Sequence, residues 1–274
     1  MRNKTILLTL LFAASLSMSA QTVKVKVAKA GTLASLMAGN TDVERLKLSG
    51  TLNDADLAFV RSLPRLKALN LRSVKNEMFG DSAFCGMTQL ENVRLPRNLR
   101  FIGKAALAGC TRLEICEMSG HLVRIPDSMF TGCVKLDKIL LPKKLEVIGE
   151  RAFMKSGVRF VIMPKFLTRI EAMAFYDCQR IEWLKIPEKV NYIGSLAFAN
   201  CTRIRLLNLR PFVPPVVEED AFANVYGCKL HAKYPEFYRT REPWRTFAFE
   251  ATEENYKELQ PHSVPYYMEG FDLK

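Results

Sequence analysis

Apolar residues recur along this chain in blocks of one shape. Each block is an apolar residue, two variable residues and an apolar–x–apolar triplet, often closed by proline. The blocks are LENVRLP from Leu90, LEICEMS from Leu113, LDKILLP from Leu136, VRFVIMP from Val158, IEWLKIP from Ile181 and IRLLNLR from Ile204. Their starts lie 23, 23, 22, 23 and 23 residues apart. A second motif keeps the same step, an Ala-Phe pair or a close variant at Phe84, Leu107, Phe130, Phe153, Phe175, Phe198 and Phe222. A third lies between them: Leu99 with Ile102-Gly103, Leu145 with Ile148-Gly149, and Val190 with Ile193-Gly194. Weaker copies, Leu46-Lys47-Leu48 and Leu69-Asn70-Leu71, carry the period towards the N-terminus. Pro211, Pro214 and Pro215 interrupt it at the other end.

Three motifs in phase at a step of 23 residues predict a solenoid. The triplet has period 2, so its two apolar residues face inward and the middle one outward. No coil covers its own apolar face, and neighbouring coils stack to bury it. The proline after the triplet ends the strand because it has no N–H to donate. The Gly of Ile-Gly is expected to permit a sharp corner. The Phe of Ala-Phe is expected to fill the core behind the strand. Asp54 to Ser62 reads as a short helix, capped by Asn53 or Asp54 and stopped by Pro64. The predicted fold is α/β, a single right-handed leucine-rich-repeat solenoid of about eight coils. Parallel strands line its concave face, with short helices or turns on the convex face. Residues 1–20 are expected to be a signal peptide, 21–80 an N-terminal cap with degenerate repeats, 81–228 the regular repeats, and 229–274 a C-terminal cap and tail.

The joined pattern L-x-x-I-x-L-P and L-x-x-I-G-x-x-A-F-x-G-C resembles the BspA-like (Treponema pallidum type) leucine-rich repeats of bacterial surface and secreted proteins. Leu136 to Pro142 and Ile181 to Cys201 follow it closely, and the likeness covers residues 80–230, more loosely 40–80. The segment His231 to Phe249, with Tyr238, Trp244 and Phe247, resembles the closing segment of such proteins. Departures are Ala106-Leu107 in place of Ala-Phe, Ser119 in place of the proline, and a repeat from Val158 that is one residue short. The resemblance implies an adhesin or another surface molecule that binds protein or glycan.

The N-terminus supports export. Arg2 and Lys4 precede an apolar run from Ile6 to Ala14, and Ser15 to Ala20 is small and mostly uncharged. Cleavage is expected after Ala20, leaving Gln21 first. The run is too short for a membrane helix, which needs about 20 residues, and no later stretch suits one. The first cysteine is Cys85, so no lipoprotein is expected. The chain carries a formal charge of +12, and +10 without residues 1–20. The cations are spread along the repeats with no dense run, so a nucleic-acid partner is not expected.

Chemistry-bearing motifs are absent. His121, His231 and His262 are scattered, and there is no G-x-S-x-G, H-E-x-x-H or phosphate-cradling glycine loop. Cys228 and His231 have the spacing of half a zinc site, with no second pair. No catalytic residue, metal or cofactor is expected. Of the seven cysteines, Cys110, Cys133, Cys178 and Cys201 share one place in the repeat, three after the Phe position. Met87, Ser156 and Val225 take that place elsewhere, which marks a small buried slot for packing thiols. Cys85, Cys116 and Cys228 lie off it.

Binding is then left to the concave face, whose outward rows can be read from the triplets. The middle row is Lys47, Asn70, Arg94, Glu117, Leu140, Ile162, Lys185 and Asn208. The row two residues earlier is Arg45, Ala68, Asn92, Ile115, Lys138, Phe160, Trp183 and Leu206. Its C-terminal half is apolar where water alone would favour polar residues. Leu140, Phe160, Ile162, Trp183 and Leu206, rimmed by Lys138 and Lys185, are the expected ligand-binding patch. Two alternatives stay open: a cover by the tail that carries Tyr256, Tyr266, Tyr267 and Phe271, and a register one residue off. An exported protein- or glycan-binding module leads. A self-associating component of the cell envelope is the first alternative, and a cryptic glycan-active enzyme the second.

Overall fold

Within most triplets the flanking apolar residues are buried and the middle one is not, as a strand with one face on a core requires. Leu69 and Leu71, Val93 and Leu95, Ile139 and Leu141, and Leu184 and Ile186 lie in the interior. Lys47, Arg94, Leu140, Ile162 and Lys185 are exposed between such pairs. The register inferred from the triplets is therefore the observed one over these coils.

The computed structural model describes residues 21–249. Its main face is a ladder of parallel strands: Thr22–Val27, Arg45–Gly50, Ala68–Val74, Asn92–Arg94, Ile115–Glu117, Lys138–Leu140, Phe160–Ile162, Trp183–Ile186, Leu206–Leu209 and Lys229–Ala232. Corresponding residues stand side by side, as in Leu46, Leu69, Val93 and Cys116, or Leu184, Leu207 and Leu230. Strand pairing runs unbroken from Thr22–Val27 to Ile115–Glu117, and again from Trp183–Ile186 to a last short strand, Ala248–Phe249. Lys138–Leu140 and Phe160–Ile162 pair with each other between these runs.

The solenoid has about ten turns, two more than the repeat pattern predicts. The segments expected to act purely as caps each begin with a strand of the ladder: Thr22–Val27 pairs with Arg45–Gly50, and Lys229–Ala232 with Leu206–Leu209. The first of these has a neighbour on one side only, so Val23 and Val25 stay partly exposed between lysines. Lys24 and Lys26 on such an edge discourage pairing with foreign strands.

A second parallel ladder of two-residue strands runs behind the first. It comprises Met78–Phe79, Phe101–Ile102, Arg124–Ile125, Val147–Ile148, Arg169–Ile170, Tyr192–Ile193 and Val216–Val217. The Ile-Gly motif sits here, and its glycine serves a different need from the corner first expected. Gly149 has no positive φ, but a Cβ there would lie 2.6 Å from Asp127 Oδ1 and 2.8 Å from the Ile125 carbonyl oxygen. The residue is small because the preceding coil passes against it.

Helices are few among the described residues. The best formed is Asp54–Ser62, whose bounds and Asn53 cap match the sequence reading. Asp56 is buried and ties two coils together. Its carboxylate accepts N–H donors from Gly31 at 2.7 Å, Leu33 at 2.9 Å and Asn53 at 3.1 Å. From residue 80 to the strand Lys229–Ala232, turns replace helices on the return path, and they too are hydrogen-bonded between coils. The N–H groups of Phe84, Leu107, Phe130, Phe153, Phe175 and Phe198 each donate to the carbonyl just before the next coil's Phe position, at 2.7–3.1 Å. This arrangement places Ala105, Ser128, Arg151, Met173 and Leu196 at φ of 52–57°. Left-handed backbone costs a side-chain-bearing residue about 1–2 kcal/mol. The ladder of bonds and the core behind it offset that cost.

The rings of the Ala-Phe motif form a column. Phe130, Phe153, Phe175, Phe198 and Phe222 stack at centroid distances of 5.0–5.2 Å with planes within 14°. Leu107 breaks it, and Phe84 instead meets Phe79 edge-on at 5.4 Å. Phe175→Ala should destabilise the protein by about 3–5 kcal/mol in denaturant unfolding. Phe175→Leu should cost clearly less, because Leu107 already occupies the equivalent place in a sound coil.

Candidate functional site

The outward rows of the main ladder come from strands whose inward residues are locked in the core, so their order is fixed by strand register. In the N-terminal half the rows are largely polar, with Arg45 and Lys47 exposed and Arg94 paired with Glu117. Arg94 Nε lies 2.8 Å from Glu117 Oε1, with Arg72 Nη1 3.6 Å from the other oxygen. Lys67 and Arg65 both reach Glu44 at 3.1 Å. That pairing holds the Glu44 carboxyl below the usual carboxylate range, chiefly through the Lys67 hydrogen bond.

The C-terminal half differs in kind. Leu140 and Ile162 stand side by side in register, 43% and 45% exposed. Phe160 lies two residues before Ile162 on the same face, half-buried, beneath the Arg159 guanidinium at 4.5 Å from its ring centre. Trp183 is half-buried on the next strand. Lys138 is half-buried beside Phe160, and Lys185 is exposed. Leu206 departs from the expectation: it is 6% exposed, and Asn208 beside it fully buried. Leu206 stands in register between the bulky Trp183 and Lys229, so it lies within the row and not on its surface. Ile115, in the same row and 51% exposed, belongs to the apolar strip although the chemistry of its own triplet did not mark it. Its row position was the available signal.

Past the prolines that end these strands runs a cationic corner. Lys143, Lys144, Lys165 and Lys189 are exposed there, and Phe166 lies between two ammonium groups, Lys165 at 5.0 Å and Lys189 at 4.7 Å. Among the described residues none of these lysines, nor Lys185, has a carboxylate within ion-pair distance. The apolar strip is thus bordered by uncompensated positive charge. Two hollows lie elsewhere. One of about 250 Å³ is lined by Arg72, Arg97, Glu117 and Ser119, and one of about 800 Å³ at the C-terminal end by Phe222, Tyr226, Arg245 and Phe247.

The slot cysteines are free and buried, and each thiol has a partner. Cys110 donates to the Phe84 carbonyl at 3.2 Å, Cys133 to Leu107 at 3.2 Å, Cys178 to Phe153 at 2.9 Å and Cys201 to Phe175 at 3.0 Å. The slot therefore satisfies a carbonyl as well as a space, and at position 156 the serine hydroxyl instead lies 3.5 Å from the Cys178 thiol. Cys116, left without an account by its spacing, takes the inward strand place that Val93 holds one coil earlier. Burial pushes the Cys116 and Cys133 thiols up, and Cys110 and Cys228 to about 12. Among the described residues no group of three His, Cys, Asp or Glu side chains could hold a metal ion. No helix among them is long and apolar enough to cross a membrane. His121 is exposed and His231 buried, while His262 lies outside the described residues.

A family model for the BspA type leucine rich repeat region matches the chain in six copies, over residues 56–182 and 168–236. The chain matches no curated protein. Among solved structures, a leucine-rich repeat protein from Bacteroides ovatus is 24% identical, with a TM-score of 0.47, over 57% of this chain and 43% of that one. This chain therefore spans less than half of that protein's length. The T. pallidum leucine rich repeat protein is 23% identical, with a TM-score of 0.35, over 68% of this chain and 77% of that one. The pneumococcal vaccine antigen PcpA is 16% identical, with a TM-score of 0.33, over 77% and 76%.

The thiol geometry makes a direct prediction. At neutral pH a thiol-directed reagent should modify at most Cys85, the half-buried one, in the native protein, and all seven cysteines after denaturation. Rapid modification of two or more native thiols would contradict the packing role.

Proposed function

We propose that this chain, which belongs to the family of BspA-type leucine-rich-repeat proteins, is an exported binding module that grips a protein or glycan ligand with the C-terminal half of its main ladder. The observation that carries this reading is the strip of Ile115, Leu140, Phe160, Ile162 and Trp183. These are large apolar side chains left partly or well exposed on a face whose N-terminal coils are mostly polar outward. Apolar surface grouped over neighbouring coils and rimmed by cations is typical of contact sites, and buried aromatic anchors carry most binding energy. The uncompensated lysines favour a ligand with acidic groups.

Export rests on residues 1–20, which lie outside the described residues. In this reading they are a signal peptide cut after Ala20, which delivers the chain to the periplasm, cell surface or medium without a lipid-modified cysteine. Leucine-rich-repeat solenoids commonly bind proteins, and nothing in the proposed role calls for bond-making chemistry.

The test is affinity capture from surface and matrix proteins and glycans at physiological salt, with residues 21–274 and a Leu140→Asp variant. Leu140 is exposed, so both should unfold at the same temperature. A ligand retained by the wild-type chain and weakened at least about tenfold in the variant is expected. Equal capture by both would move the site off this face. Growth of particle size with concentration, lost in the variant, would make the face a self-association surface instead.

A further inference from the structure

The same face has a candidate occupant within the chain. Residues 21–249 hold 36 lysines and arginines against 22 acids, whereas residues 250–274 hold six acids and two lysines. The latter segment, EATEENYKELQPHSVPYYMEGFDLK, also concentrates Tyr256, Tyr266, Tyr267, Met268 and Phe271. Acids interleaved with aromatic residues match an apolar strip bordered by Lys143, Lys144, Lys185 and Lys189. We infer that residues 250–274 dock in cis on the strip of Leu140, Phe160, Ile162 and Trp183, and that an outside ligand must displace them.

Reach and charge both support this. Phe249, the last described residue, pairs in register with Leu230, so the chain leaves the described fold in the last strand of the sheet that begins with Trp183–Ile186. From there the strand Lys138–Leu140 is five strands away, about 24 Å at about 4.8 Å per step. The 17 residues from Phe249 to Tyr266 can span more than about 50 Å. A tether of that length sets an effective concentration of the order of millimolar, so even weak intrinsic contacts would keep the strip occupied. A partner from outside would then bind more weakly than its own contacts allow, until the segment is displaced or removed. Charge attraction is directed to the corner where Lys143, Lys144 and Lys189 outnumber the exposed acid Glu188 and form no ion pair with it, which orients the acidic segment towards that corner.

The inference concerns occupancy in the absence of any ligand, so its test is separate from affinity capture. The full mature chain is made with a photoreactive benzoylphenylalanine in place of Tyr266, as an equal mixture of light and heavy isotope forms. It is irradiated in dilute solution and the cross-links are mapped. Cross-links within one chain to strands Lys138–Leu140, Phe160–Ile162 and Trp183–Ile186 are expected. Their yield should fall about tenfold in Leu140→Asp/Ile162→Asp and clearly in Lys144→Glu/Lys189→Glu, whose exposed sites leave the core untouched. It should also fall at about 1 M salt, where charge attraction is screened within about 3 Å. Cross-links to other parts of the chain, links only between light and heavy copies, or yields unmoved by both variants would overturn the inference. Its failure would leave an open face still able to bind a ligand, and loss of ligand capture would leave the cross-links unchanged.

Discussion

Each coil of this solenoid must repeat the depth and path of the coil before it, because strands can hydrogen-bond only at one spacing of about 4.8 Å. The repeat length, the choice of core residues and the strained turns all follow from that requirement. Phenylalanine rings carried at this pitch stack at 5.0–5.2 Å, close to the strand spacing itself. Thiols carried at the same pitch each meet a carbonyl of the preceding coil. Left-handed residues recur at the same point of the turn from Ala105 to Leu196, side chains notwithstanding, because the turn must hand its N–H groups to the next coil. The short repeat from Val158 keeps its ring in the column and its strand in register.

A scaffold held this tightly from within leaves its outward rows free to vary. The N-terminal half of the main ladder uses that freedom for polar and charged residues, with Arg94 and Glu117 paired across neighbouring strands. The C-terminal half spends no acid on Lys143, Lys144, Lys185 or Lys189 and places leucine, isoleucine and aromatic side chains where water would favour polar ones. Function in such a fold lies in the contrast between the two halves of one face, and not in any single constellation of reactive groups.

Most of the fold was legible in the sequence because the stacking constraint writes itself into the spacing of core residues. The triplets implied strands and register, and Asn53 or Asp54 with Pro64 implied the helix Asp54–Ser62, while the part Asp56 plays in its cap came only with the structure. Three things were not legible. The first and penultimate strands, TVKVKV and KLHA, escape the pattern because an end coil is covered on one side or takes an alanine where others take leucine. The glycine of Ile-Gly reads locally as a corner, whereas its cause is the backbone of another coil 22 residues earlier or more. The candidate site was legible as two rows, but the burial of Leu206 depends on neighbours in register, which no single repeat reveals.

The central claim is that one register holds from coil to coil, with the middle residue of the triplets from Leu46 to Ile186 outward. Thermal unfolding of Ile162→Asp and Val161→Asp tests it at two adjacent positions. The account predicts an almost unchanged midpoint for Ile162→Asp and a large loss for Val161→Asp, since Val161 is 2% exposed in the core. A carboxylate placed there would be buried without a partner, at a cost of several kcal/mol. Comparable losses in both, or the greater loss in Ile162→Asp, would mean that the face assigned to ligand is part of the core.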